Sequence, residues 1–314
     1  MNRISELVLK GIESPSQIPP YISRKYRDIR DRVQYRNIPK QKEKIHDFIQ
    51  QDRFAIIVLD SCRYDYFERN IDTYLPGDLK KAYTPATATI NYIRAIWDKQ
   101  YDIKYITGMP APTNYAFKRK GLNYRPEEHF SDFVHVWKSS NKKELGAVPP
   151  EEMTKAALAN GASQTVIHYV QPHAPYIGEY RLRDENQETD WGESLQDIYK
   201  KIGRYDSRKK VISDDKLQKA YVSNLRRVLE SVREIAMCMD VPAVVTADHG
   251  EFLGENDRYI HGGPRHPILC EVPWFIVDKS ALGSHESSSS SALQNQTEFD
   301  DQDVENQLEE LGYL

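Results

Sequence analysis

Three apolar runs in this 314-residue chain each end in a residue able to do chemistry. FAIIVL is followed by Asp60, TVIHYV by QPHAPY with His173, and AVVTA by Asp248-His249-Gly250-Glu251. Two aspartates and a neutral imidazole make a mixed oxygen and nitrogen donor set. Such a set suits one divalent ion: Mn²⁺, Zn²⁺, Mg²⁺ or Ca²⁺. Asp248 and His249 are neighbours and would point to opposite faces of a regular strand, so sharing an ion requires an irregular turn, which Gly250 eases. An ion there would polarise a phosphoryl or sulfuryl oxygen and acidify a hydroxyl nucleophile. Glu251 reads as a group that orients His249. His168, inside the second run, reads as a satisfied core histidine.

The elements that position these residues are visible as periodic runs. Phe54–Leu59 is continuously apolar, as a strand covered on both faces must be. Ile103–Ile106, Phe133–Val136, Thr165–Val170 and Ala243–Thr246 are further short candidates rich in β-branched and aromatic residues. Val272–Val277 is one more, and Pro273 suits an edge or a strand start there. Ser213 can cap a helix with Asp214 and Asp215 in its first turn. Leu217, Tyr221, Leu225, Val228, Val232 and Ile235 then recur at helical spacing, and Pro242 prevents continuation. Strands separated by helices predict an α/β fold with a central, mostly parallel sheet flanked by helices. In such a sheet ligands gather beyond the carboxyl ends of the strands, where Asp60, His173 and the Asp248-His249 pair all fall.

Charge and composition divide the chain. Residues 1–53 hold 12 Lys and Arg against seven acids and several prolines, which reads as a basic helical arm closing in a helix near Lys40–Gln51. Residues 54–280 form the predicted catalytic domain. From Ala281 onward there are eight acids and no Lys or Arg, so the net −4 divides into a body of +4 and a tail of −8. Residues 281–314 read as a disordered low-complexity tail, with Val304, Leu308 and Leu311 marking a possible short terminal helix. The tail lies beyond every candidate residue, and deleting 284–314 is expected to leave turnover intact. Three cysteines exclude a disulfide scaffold, and no CxxC pair suggests zinc. No run has the length of a membrane span or of a signal sequence, which predicts a soluble, cytoplasmic chain in a reducing compartment. The mildly basic body favours an anionic small-molecule or glycan ester over nucleic acid. Oligomeric state is not legible.

LDSCRYD, TPATAT, VQPHAPY and TADHGE…YIHGG together resemble the alkaline phosphatase superfamily, in particular its sulfatase-like branch, over about residues 54–277. The resemblance implies that Asp60, Asp248 and His249 ligate the metal and that His173 and His261 are catalytic groups on the substrate side. It also implies a nucleophile opening the helix after the first strand unit. Thr89, ahead of INYIRAIW, best matches that place, with Thr87 as runner-up and substrate-side group. A threonine that merely caps the helix is the bland alternative for Thr89. Arg63 could clamp an anionic substrate or form a structural ion pair.

The sequence also departs from the family. The sulfatase signature CxPxR is absent, with Thr89, Asn91 and Ile93 at its Cys, Pro and Arg places, so no formylglycine can form. Ser61 stands where many relatives carry a second acid. Around His173 there is no additional Asp and His pair, which favours one metal over two. The pattern is similar to single-metal phosphotransferases with a threonine nucleophile, such as lipoteichoic acid synthases. The expected activity is metal-dependent hydrolysis or transfer of phosphate esters through Thr89. A sulfoester hydrolase without formylglycine is the alternative, and a non-catalytic metal- or glycan-binding relative is the third reading. Cys62 reads as a packing residue, because the Cys-to-Arg spacing of a thiol phosphatase fails.

Overall fold

The FAIIVLD segment forms β1 (Phe54–Asp60), and all seven of its residues are fully shielded from solvent. Burying each Val, Ile or Leu side chain of such a strand contributes about 1.5–3 kcal/mol. The computed structural model describes residues 35–140, 146–161, 163–182, 212–282 and 301–311. Contacts divide the chain into residues 1–39 and residues 40–314. Of the first unit only 35–39 is described, a turn closed by the Ile38 N–H on the Tyr35 carbonyl. Residues 1–34 of the predicted basic arm, and residues 283–300 of the predicted tail, lie outside the described residues.

The second unit opens with α1 (Gln41–Phe48), which the sequence reading assigns to the end of the arm. Its Gln41 amide donates to Thr246 Oγ1 at 2.9 Å and to the Ala247 carbonyl at 2.6 Å, and Ile45 is buried in the core. After β1 come α2 (Tyr64–Glu68), β2 (Gly77–Tyr83), α3 (Thr89–Ile96), β3 (Tyr101–Thr107) and α4 (Asn114–Arg119). Then follow β4 (Phe130–His135), α5 (Val136–Ser139), α6 (Pro150–Ala159), β5 (Gln164–Pro172) and α7 (Asp214–Cys238). The chain continues through β6 (Ala243–Ala247), β7 (Phe252–Leu253), β8 (Tyr259–Ile260), α8 (Pro267–Cys270), β9 (Glu271–Val277) and α9 (Asp301–Glu310).

Seven strands make one sheet in the order β2-β9-β6-β1-β5-β3-β4, and β9 alone among them runs antiparallel to its neighbours. The expected mostly parallel α/β sheet is present. The strand ends predicted to share a rim belong to β6, β1 and β5, three neighbours at the centre of the sheet. One correction concerns β9: it lies between β2 and β6, so Pro273 is in an interior strand. Its last β6 partner is Trp274, and Pro273 itself sits beyond that ladder opposite Lys81 of β2. The missing N–H therefore breaks no bond to β6.

The predicted long helix is α7. Ser213 Oγ accepts the Lys216 N–H at its start, and all six apolar positions read from the sequence are buried. It packs with α6 against β5. Within the tail, a helix forms where Val304, Leu308 and Leu311 mark the possible short terminal helix. There α9 buries Val304, Leu308 and Leu311 and packs on α4, where Tyr115 and Arg119 both bond Glu305, at 2.9 and 3.0 Å. Among the described residues no helix is long and apolar enough to cross a membrane.

Candidate active site and metal centre

The site begins where β1 loses its regular register with β5, between Leu59 and Asp60. Ser61 then takes a left-handed backbone (φ 60°), a turn that costs a non-glycine residue strain and is held from both sides. Its N–H donates to Asp248 Oδ1 at 3.0 Å, and its carbonyl accepts the Tyr221 hydroxyl of α7 at 2.8 Å. The irregular turn required at Asp248-His249 is also present. Asp248 Oδ1 accepts the His249 N–H at 2.8 Å, and Thr84 Oγ1 donates to the Asp248 carbonyl at 2.8 Å. Gly250 serves this turn through space rather than through a special φ. A Cβ there would lie 1.9 Å from the Ile268 carbonyl oxygen.

Asp60, Asp248 and His249 meet with donor atoms mutually within 4.8 Å, all fully buried. Thr89 joins them from the first residue of α3: its Oγ1 donates to Asp248 Oδ2 at 2.8 Å and lies 3.5 Å from His249 Nε2. The capping alternative fails, because the N-cap is Ala88 and the Thr89 hydroxyl is spent on Asp248. His249 Nε2 is 3.3 Å from Asp248 Oδ2 and 3.6 Å from Asp60 Oδ1. Its Nδ1 lies 3.0 Å from the Gly250 carbonyl, which takes an N–H and leaves Nε2 as the ligand atom. Bonds of about 2.0–2.1 Å to a tetrahedral ion imply ligand separations of roughly 3.4 Å. The observed 2.8–3.6 Å spacings of Thr89 Oγ1, Asp248 Oδ2, His249 Nε2 and Asp60 Oδ1 fit that size.

A second group stands beside the first. His173, Glu251 and His261 bring donor atoms mutually within 4.8 Å. The β7–β8 hairpin does this by returning the chain from Glu251 to His261, whose Nδ1 lies 3.8 Å from Glu251 Oε1. Glu251 is therefore not simply an orienter of His249, and its buried Oε2 has no hydrogen-bond partner. Burial pushes its carboxyl up to about 7, with Asp60 adding to the rise and His173 and Arg63 opposing it. The company expected to be missing around His173 is thus supplied from residues 78 and 88 positions further along. Ser61 links the two groups, its Oγ 3.1 Å from Asp60 Oδ1, 3.4 Å from His249 Nδ1 and 3.3 Å from His261 Nδ1. The sequence marks Ser61 only as standing where many relatives carry a second acid, and its place directly after Asp60 was the signal for a role at the site.

Two candidates lie elsewhere. Thr87 donates its hydroxyl to the Gly263 carbonyl at 3.1 Å, so it supports the loop after His261 rather than joining Asp248. Arg63 is 5 % exposed and pairs with both oxygens of Asp65 at 2.9 Å, with Glu255 and with the Glu251 carbonyl. These bonds tie Arg63 to the loop after β6, as the structural ion-pair reading expects. Cys62 is buried, and burial drives its thiol well up, away from thiolate chemistry.

No family model matches the chain. It is 26% identical over 247 residues to the low-salt glycan biosynthesis sulfotransferase Agl7 of Haloferax volcanii, covering 71% of this chain and 54% of that protein. The chain thus spans about half the length of the curated relative it matches. Among solved structures it is similar to the soluble domain of lipooligosaccharide phosphoethanolamine transferase A from Neisseria meningitidis (12% identity, 71% and 75% of the two chains, TM-score 0.43). It is similar also to the phosphonate monoester hydrolase of Agrobacterium radiobacter (15%, 73% and 68%, TM-score 0.46) and to a 2-O GAG sulfatase (13%, 72% and 64%, TM-score 0.44).

Proposed function

We propose that the chain is a metal-dependent transferase or hydrolase of phosphate esters that uses Thr89 as nucleophile and acts on a glycan or glycerol-phosphate type of substrate. The observation that carries this reading is the Thr89 hydroxyl, held 2.8 Å from Asp248 Oδ2 among buried donors from two other segments. A divalent ion bound by Asp60, Asp248, His249 and Thr89 supplies Lewis acidity and lowers the pKa of the Thr89 hydroxyl. The second group, His173, Glu251 and His261, also offers a ligand set. Its histidines face the leaving group in the reading adopted here.

Thr89 Oγ1, its proton released to solvent, attacks phosphorus in line as the new O–P bond forms and the bond to the leaving oxygen breaks; a solvent proton returns to Oγ1 when Thr89 is later released. A proton from His173 or His261 goes to that leaving oxygen. The helix α3 begins at the nucleophile, so its positive end lies against the transferred anion. An acceptor hydroxyl, from water or a sugar, then attacks the Thr89 ester and gives its proton to the same histidine pair. Thr89 is released.

The sequence likeness to a glycan sulfotransferase favours a second reading, in which the transferred group is sulfuryl. Matched aryl phosphates, phosphodiesters and sulfates separate the two, because the true group should lead by orders of magnitude. Asp248→Ala is expected to abolish ion binding and turnover together. Turnover that survives both this substitution and exhaustive chelation refutes the proposal. An ion-binding protein with no turnover on any ester supports the non-catalytic reading instead.

A further inference from the structure

His168 sits in β5 with its ring fully buried. Its Nδ1 lies 2.6 Å from the Tyr105 hydroxyl of β3. Its other nitrogen, Nε2, has no hydrogen-bond partner and is aimed at Asp248 Oδ2, 3.9 Å away. That oxygen is the one that accepts the Thr89 hydroxyl at 2.8 Å. Tyr105 is fixed in turn by Phe130 and Phe133, with ring centroids 4.6 and 5.1 Å from its own.

A buried imidazole serving only as packing would be a poor choice here. A half-satisfied polar ring in a core is worse than an apolar one of the same shape. Burial drives the Tyr105 phenol well up, so it keeps its proton and is the donor to Nδ1. That fixes the proton of the neutral ring on Nε2, the nitrogen directed at Asp248. The spacing of 3.9 Å is about 1 Å beyond a hydrogen bond, and catalytic contacts of this kind are often long before the site is loaded.

We propose that His168, locked by Tyr105, is a positioning residue that donates its Nε2–H to Asp248 Oδ2 and sets this carboxylate for both the ion and Thr89. The inference rests on the reading of Asp60, Asp248 and His249 as an ion site. Outer partners of metal ligands typically govern affinity by roughly 10- to 100-fold.

The test titrates Mn²⁺ and Zn²⁺ calorimetrically into the chelator-stripped full chain and three variants, with thermal unfolding of each ion-free protein alongside. His168→Leu and Tyr105→Phe are expected to bind more weakly by roughly 10- to 100-fold. His168→Gln, whose amide N–H reaches the same way, should keep most of the affinity. The ion-free His168→Leu protein loses an unsatisfied nitrogen but leaves the buried Tyr105 hydroxyl without His168, so its melting point serves as the control for folding. Tyr105→Phe keeps the ring packing and carries the test if His168→Leu does not fold. Wild-type affinity in His168→Leu or in Tyr105→Phe overturns the inference, as does His168→Gln binding as weakly as His168→Leu. A wild-type chain that binds neither ion overturns the reading of the site itself, and is distinguished from these outcomes by that fact.

Discussion

Thr89 is the first helical residue, one past the N-cap Ala88, and its Oγ1 is given to Asp248 across 159 residues of sequence. If it is the nucleophile, Thr89→Ala should lower turnover by about 10³-fold or more while the folded protein still binds the ion, and Thr89→Ser should retain a measurable fraction. Steady-state kinetics on the preferred ester, with calorimetric ion binding as control, decide this; turnover unchanged in Thr89→Ala moves the nucleophile elsewhere. Glu251 makes a prediction of the opposite kind, about stability. Its carboxyl is raised from 4.5 to about 7 in the folded protein, so between these values the folded state holds a proton that the unfolded state has lost. Stability therefore falls as pH rises through that window, by up to roughly 3 kcal/mol at 1.4 kcal/mol per pH unit. Glu251→Gln removes this loss. Urea midpoints of the two chelated proteins should separate in favour of Glu251→Gln as pH climbs from about 4.5 to about 7, and parallel curves would contradict the assignment.

At the scale of elements, the site depends on two short connections. The turn after β6 brings Asp248 and His249 donor atoms together with Asp60, and the β7–β8 hairpin returns His261 to Glu251. Ile260, a β-branched residue at φ 60°, leads directly into His261, which marks this return as strained where function is proposed. Gly250 joins the two connections under the Ile268 carbonyl, with Arg63 Cγ at 3.4 Å from the place of a Cβ. Gly250→Ala must push one backbone off the other. We expect it to cost about 1–3 kcal/mol, in the range of overpacking, and to lower ion affinity with stability, read by denaturant unfolding and titration. A variant with wild-type values for both would show that the turn yields without moving Asp248.

On the scale of the whole molecule, strand order makes the site. Asp60, His173 and Asp248 follow strands far apart in sequence, but β6, β1 and β5 are neighbours, and the His173 N–H donates to the Asp60 carbonyl at 3.2 Å. The terminal helix α9 belongs to the same unit and closes over α4 with Leu308 fully buried. Deleting 284–314 therefore uncovers apolar surface and should lower stability, whether or not turnover of the folded protein survives. Leu308→Ala should cost about 2–4 kcal/mol of stability and leave kcat of the folded fraction unchanged, by thermal unfolding and kinetics. A silent Leu308→Ala would mean that α9 adds little to this unit.

Much of this was legible before any coordinates. FAIIVL had to be a doubly covered strand because nothing polar interrupts it, Ser213 and the six spaced apolar residues had to form α7, and the strand ends named Asp60, His173, Asp248 and His249 because an α/β sheet presents its ligands there. What stayed hidden depended on partners distant in sequence. β2, GDLKKAY, is an edge strand with most of its residues in water, so it carries no apolar run to read. The ion pair that ties Arg63 to the loop after β6 is with Glu255, 192 residues later. The meeting of His173 with Glu251 and His261, the choice of Thr89 over Thr87 at Asp248, and the aim of His168 at that carboxylate are distances between separate segments. Local sequence sets which elements form and what each one carries to its end; only tertiary packing brings those ends within bonding range.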